Sequence, residues 1–235
     1  MDTPEEKVIP RIITVEGPPA IGVSLYTTAI RQAIGRRAEV FSWQEQDLQL
    51  TRKQWDEDPG QASFAYCLRE LTLSLEALRF AEDWAKVPTQ VAIVERSPVH
   101  SHALAYALYA RGSMDKPSLE LFQEIYTSLM NTSTNPFIFS SIELVCDEEN
   151  EMRRRARRSR KGRLPWYDDR FAENYAAALG IAMLSLEQSE RLGSTFKIDW
   201  SKRRNRSTIL TRVDTVISKV DAMLRDEGIP GGLLG

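Results

Sequence analysis

Two runs in this chain, Arg11-Ile-Ile-Thr-Val15 and Val91-Ala-Ile-Val94, are almost wholly apolar and too short for helices. A strand with one solvated face alternates apolar and polar residues; these do not, so both of their faces must be covered. That demand is met by a parallel sheet between two layers of helices. Further β-type runs stand at Ala38–Phe41, at Phe137–Phe139 with Ile142–Val145, and at Thr195–Ile198. Helical patterns fill the intervals at 23–35, 61–86, 99–112, 117–131, 148–160, 166–191 and 205–227. The alternation predicts a three-layer α/β fold around a five-stranded parallel sheet. No period recurs, which excludes a solenoid. Asp56–Gly60 reads as a loop and 228–235 as a loose tail, and no boundary divides the chain, so one domain over 1–235 is expected.

Composition narrows the function classes. The 235 residues are 42% hydrophobic and 27% charged, as in globular proteins. Thirty-one basic residues against thirty-three acidic ones give a net charge of -2, which does not indicate a dedicated nucleic-acid binder. Cys67 and Cys146 are too few for a disulfide framework and lie outside any metal-ligand spacing. The acidic start MDTPEEKVIP lacks the apolar core of a targeting segment. No apolar stretch reaches the roughly 18–20 residues of a membrane span. A soluble protein is expected, cytoplasmic or nuclear, without membrane partners.

In open parallel sheets, ligands bind beyond the carboxyl ends of the strands. The first strand runs into Glu16-Gly-Pro-Pro-Ala-Ile-Gly-Val-Ser24 and then a helical pattern. Against G-x-x-x-x-G-K-[ST], Gly17 and Gly22 are correctly spaced, and Ser24 holds the magnesium position. Val23 stands where the lysine belongs. Two such glycines let backbone N–H groups turn toward a phosphate at a helix N-terminus. The same residues also suit a plain tight strand–turn–helix connection. The third strand ends in Glu95-Arg-Ser97, and Pro98 opens a helix. A carboxylate and a guanidinium there either serve the same crevice or pair with each other at the sheet edge.

A basic run, Met152-Arg-Arg-Arg-Ala-Arg-Arg-Ser-Arg-Lys-Gly-Arg163, concentrates charge found nowhere else in the chain. On a helix, Arg153, Arg157 and Arg160 share one row, and Arg154 and Arg158 another. Repulsion at such spacing suits a polyanion: a phosphate chain, a nucleic acid contacted through 153–163, or an import receptor reading the tract. A solvated charge run is the remaining alternative.

Together these motifs resemble the deoxynucleoside kinase family. Glu-Gly-x-x-x-x-Gly-x-Ser follows the first strand and Glu-Arg-Ser the third. The segment from Glu95 to Gly112-Ser-Met114 is similar to a stretch of the herpesvirus-type thymidine kinases. The basic run before Gly162-Arg-Leu-Pro165 resembles the family's arginine-rich lid, here about 148–165. The resemblance spans about Arg11 to Leu192; thymidylate kinases, which share these elements, are the near neighbour. It implies a P-loop fold that transfers a phosphoryl group from ATP, with Mg²⁺, to the 5′-hydroxyl of a nucleoside such as thymidine. Gly17 and Gly22 would cradle phosphates, and Ser24 would ligate Mg²⁺. Glu95 and Arg96 would organise the hydroxyl and the phosphate. Arg157, Arg158 or Arg160 would stand in for the missing lysine. Pairing into a homodimer through helices beside the sheet is also implied.

The chain departs from the family pattern in four places. The family's catalytic carboxylate follows the second strand, where Trp43 stands; Glu45 is the nearest substitute and Asp47 another. Trp43 would instead line the nucleoside cleft. No Gln for reading the base occurs around Phe64-Ala-Tyr-Cys-Leu68, and Ser101 occupies a position that is Asp in cellular members. Losing the lysine alone should slow transfer on the order of 10²–10⁴-fold. The alternative function is therefore a catalytically inactive kinase-fold protein that acts as a binding or assembly module. His100 and His102, two apart on a helix, face different ways and do not chelate one ion.

Overall fold

Strand β1 (Ile12–Glu16) is buried over its whole length, so it lies where both neighbours and both faces are occupied. It pairs in parallel with β3 (Val91–Glu95) on one side and β4 (Ile138–Val145) on the other. Strand β2 (Ala38–Phe41) flanks β3, and β5 (Leu192–Asp199) flanks β4, giving the order β2-β3-β1-β4-β5. These elements come from a computed structural model that describes residues 11–19, 21–42, 55, 57–87, 89–132, 138–145, 169–199 and 206–226.

Helices cover both faces, as the apolar runs require. On one side, α1 (Val23–Ile34) and α6 (Arg206–Asp226) pack Tyr26, Ile30, Val213 and Ile217 against Ile13, Val15 and Ile93. On the other lie α2 (Pro59–Ala85), α3 (Pro98–Ala110) and α5 (Asp169–Gln188), with α4 (Lys116–Met130) against α2 and α3. Their core includes Leu71, Leu104, Phe122, Phe171 and Leu179 with Ile12, Ala92 and Val94. Helix α3 is buried nearly all round; His102, Tyr106, Tyr109 and Ala110 alone along it reach the surface.

Two local expectations are corrected. Ile138–Phe139 and Ile142–Val145 belong to one continuous strand, because Ser140 and Ser141 bond within the sheet. The Ser194 hydroxyl donates to Ser140 Oγ (3.2 Å) and the Thr14 hydroxyl to Ser141 Oγ (2.7 Å). The Asp58-Pro-Gly60 loop signal is a helix start: Asp58 accepts the Gln61 N–H at 3.0 Å, and Pro59 takes the first helical position. The helix expected at 148–160, the 148–165 lid and the 228–235 tail lie outside the described residues.

The chain leaves β1 toward β3 and β2, then returns past β1 to β4 and β5. That reversal opens a crevice at the carboxyl ends of the central strands. Residues 16–24 and 95–101 both begin there.

Candidate functional site

At the end of β1 the chain must turn at once into α1, and glycine makes this possible. Gly17 has φ 158°, and a Cβ there would stand 2.9 Å from Ile21 Cγ2 and 3.2 Å from the Leu144 carbonyl. Gly22 caps α1 in a left-handed conformation with φ 106°. Between them, the Ile21 N–H donates to the Pro18 carbonyl at 3.1 Å. Val23 is buried among the apolar residues of the α1 layer, so the position expected for lysine faces hydrocarbon.

Ser24 is exposed on the first turn of α1, and its hydroxyl donates to Glu95 Oε1. Thr27 reaches the other Glu95 oxygen at 3.5 Å. Glu95, read from the sequence as a partner of Arg96, thus meets the α1 hydroxyls. Arg96 follows with φ 62°, a left-handed conformation that costs a non-glycine residue roughly 1–2 kcal/mol. Its N–H donates to the Val15 carbonyl at 3.1 Å, and the Ser97 N–H donates to Glu16 Oε1 at 2.9 Å. Ser101 lies on α3 and is fully buried. Trp43, Glu45, Asp47, Arg157, Arg158 and Arg160 lie outside the described residues.

Glu16 is the group that sequence reasoning passed over. It has no solvent exposure, and burial raises its pKa to about 7 against the opposing pull of the Ser97 bond and Arg96. As part of Glu-Gly it looked like loop framing; only the register beside β3 shows what its carboxylate meets.

A second polar group lies under α3. His100 Nε2 is 3.0 Å from Glu70 Oε1 on α2, and its Nδ1 meets the Tyr175 hydroxyl on α5. Burial holds the His100 pKa below its usual value although the Glu70 charge pulls it up. A neutral ring that accepts the Tyr175 hydroxyl at Nδ1 keeps its proton on Nε2, the side that faces Glu70. The order is carboxylate, imidazole, hydroxyl, and among the described residues all three are buried, so the group ties three helices together. Its members are too far apart in sequence to be joined without the fold. His102 turns instead toward Tyr106 and Tyr126, with ring centroids at 5.0 and 4.6 Å, and burial lowers its pKa to about 4.

No protein-family model matches the sequence, and no curated protein matches it. Among solved structures, the fold is similar to deoxyadenosine kinase from M. mycoides with bound dCTP. That match has a TM-score of 0.65 and 12% identity, and covers 89% of this chain and 100% of the other. The same enzyme with bound dATP gives a TM-score of 0.65 at 13% identity, over 88% of this chain and 98% of that one. With the products dCMP and dCDP bound, the values are 0.64, 13%, 90% and 99%. The fold is thus that of the deoxynucleoside kinases. Among the described residues, no helix is long and apolar enough to cross a membrane.

The carboxyl shift and the two imidazole shifts act on stability in opposite directions. Glu16, raised from 4.5 to about 7, holds a proton in the folded state that the unfolded chain has lost, so its contribution falls as pH rises through that window. His102, lowered from 6.5 to about 4, and His100, also held below its usual value by burial, favour folding above their unfolded pKa and lose that as pH falls. Glu16→Gln should therefore steepen the rise of stability with pH between about 4.5 and 7 by about 1.4 kcal/mol per pH unit. Chemical denaturation across that range measures it. An unchanged slope would show that Glu16 titrates as an ordinary carboxylate.

Proposed function

We propose that this protein binds a nucleoside triphosphate at the 17–24 loop and transfers a phosphoryl group to the 5′-hydroxyl of a deoxynucleoside. The observation that carries this reading is the meeting of Ser24 with Glu95 beside a loop turned by Gly17 and Gly22. Loop amides at the α1 N-terminus suit phosphate oxygens, and Arg96 adds a guanidinium at the same crevice. The similar M. mycoides kinase binds dATP, dCTP and dCMP, which supports a deoxynucleoside or its nucleotides as ligands.

Ser24 and Glu95 supply the hard oxygen donors that Mg²⁺ takes together with waters and phosphate oxygens. Bound there, the ion would neutralise charge developing on the transferred group. The chain's own part is to fix the loop amides, hold the hydroxyl and carboxylate together, and keep Arg96 beside them. The carboxylate that takes the 5′-hydroxyl proton is assigned to Glu45, and the lid charge to Arg157, Arg158 and Arg160. Trp43 and Ser101 are assigned to the nucleoside. One specific observation favours a second reading, a nucleotide-binding module without transfer: Val23 is buried in the core and brings no charge to the phosphates.

A thermal-shift titration separates these readings. ATP·Mg²⁺ at about 100 times its dissociation constant should stabilise the protein by roughly 2.7 kcal/mol. Binding together with product formation from a deoxynucleoside supports the kinase, and binding without product supports the module. Short RNA that shifts the melt where ATP does not would move the ligand to the 153–163 run. Val23→Lys should melt lower, because a charge enters a packed site, and should bind ATP several-fold more tightly; a folded variant with unchanged affinity would count against the phosphate loop.

Arg96 offers a cleaner separation of folding from binding. Glycine accepts the φ of 62° without strain, so Arg96→Gly should melt at or above the wild-type temperature. It should lose about tenfold or more in nucleotide affinity, because the guanidinium is gone. A lowered melting temperature with unchanged affinity would make Arg96 a structural residue.

We also infer a homodimer. Tyr106 and Tyr109 on α3 and Ile181 and Leu184 on α5 are exposed, each pair three apart, on two helices that pack along one another. A two-fold pairing of that face buries all four. Ile181→Glu with Leu184→Glu should shift sedimentation to the monomer; a wild-type monomer would end this assignment.

A further inference from the structure

Glu16 sits fully buried at the carboxyl end of the central strand, directly before the first loop glycine. One oxygen accepts the Ser97 N–H at 2.9 Å, and the Ser97 and Thr14 hydroxyls lie beside the carboxylate. A hydrocarbon side chain of the same volume would fill such a site at lower cost than a carboxylate. On the adjacent strand Glu143 stands opposite Glu16 in register, and it has its own cation, Lys197, at 3.3 Å. The Glu16 carboxylate therefore meets the segment after β3, with Thr14 of its own strand beside it.

That segment is the strained one. Arg96 holds φ 62° between two hydrogen bonds to β1. The first, from the Arg96 N–H to the Val15 carbonyl, extends the parallel ladder and needs no particular side chain. The second, from the Ser97 N–H to Glu16, does need one, and it fixes the peptide that follows Arg96. The guanidinium is close enough to Glu16 for its charge to pull the acid's proton affinity down.

We propose that Glu16 is a positioning residue, whose carboxylate pins the Ser97 amide and so holds Arg96 in its left-handed turn beside the Gly17–Gly22 loop. The inference rests on the nucleotide-binding reading above. It links the residue that begins the loop to the residue that would meet the phosphate, so loop and guanidinium keep one geometry.

The test compares wild type, Glu16→Met, Glu16→Leu and Glu16→Gln. Three readouts serve: melting temperature, hydrogen exchange at the Ser97 amide, and ATP·Mg²⁺ affinity by calorimetry. Met and Leu remove the acceptor but keep bulk. They should melt at or above the wild-type temperature, exchange the Ser97 amide about tenfold faster or more, and bind ATP about tenfold more weakly. Gln keeps a carbonyl acceptor and should restore exchange and affinity to within a few-fold. In an Arg96→Gly background, Glu16→Met should cost no further affinity, because the two residues act as one unit. Wild-type binding with an unaffected folded Met or Leu variant overturns the assignment alone, as does a loss that adds fully to that of Arg96→Gly. A Gln variant as weak as Met also overturns it. Wild type that binds no ATP overturns the nucleotide reading and this assignment with it.

Discussion

A strand paired on both edges and covered on both faces must satisfy every polar group it carries without water, and β1 carries Thr14 and Glu16. Thr14 is met by Ser141 on β4, and Glu16 by the amide of Ser97 beyond β3. These two bonds reach in opposite directions across the sheet. The first ties the middle of β1 to the middle of β4, and the second ties the carboxyl end of β1 to the segment after β3, where the strand order reverses and a crevice must open. A carboxylate is the costlier of the two groups to bury, since the desolvated charge is only partly offset. The rise of its pKa to about 7 is the visible sign of that cost.

The same logic runs through the layer between the sheet and α3. Helix α3 is buried almost all round, so any polar side chain on it needs a partner from another element. His100 finds two, Glu70 and Tyr175, and so anchors the first turn of α3 between α2 and α5. That turn begins at Pro98, directly after Arg96 and Ser97. The α3 start is therefore held from the sheet by Glu16 and from the helices by His100. A left-handed Arg96 survives between two such anchors because neither end of its segment is free to relax.

Much of the fold was legible in the sequence because the core-forming signals are local. The apolar runs of β1 and β3, the glycine-bracketed loop and Pro98 each state their structure within a few residues. The continuity of β4 was not legible, since Ser140 and Ser141 read as a break until their partners Ser194 and Thr14 stand beside them. The site was half legible for the same reason. Gly17, Gly22, Ser24, Glu95 and Arg96 follow from motif spacing, and the structure brings Ser24 and Glu95 into contact. Glu16, Glu70 and Tyr175 have no local signal, because a buried acid or phenol looks like any surface one until a fold removes the water around it.

Val23 shows how loop framing and loop chemistry separate. The glycines are demanded by sterics: Gly17 has no room for a Cβ, and Gly22 must cap α1 left-handed. Those constraints persist whether or not a phosphate ever binds. The lysine position carries no such demand, and here its side chain turns into the core beside Ile21 and Tyr26, where it contributes packing. Charge for a phosphate must then come from outside the loop. In the proposed reading Arg96 is that cation, and the Ser97–Glu16 bond follows its left-handed turn directly. A binding site whose cation is set by the neighbouring strand can keep affinity for a nucleotide while losing the group that follows charge during transfer. For that reason binding and turnover are separate questions in this fold.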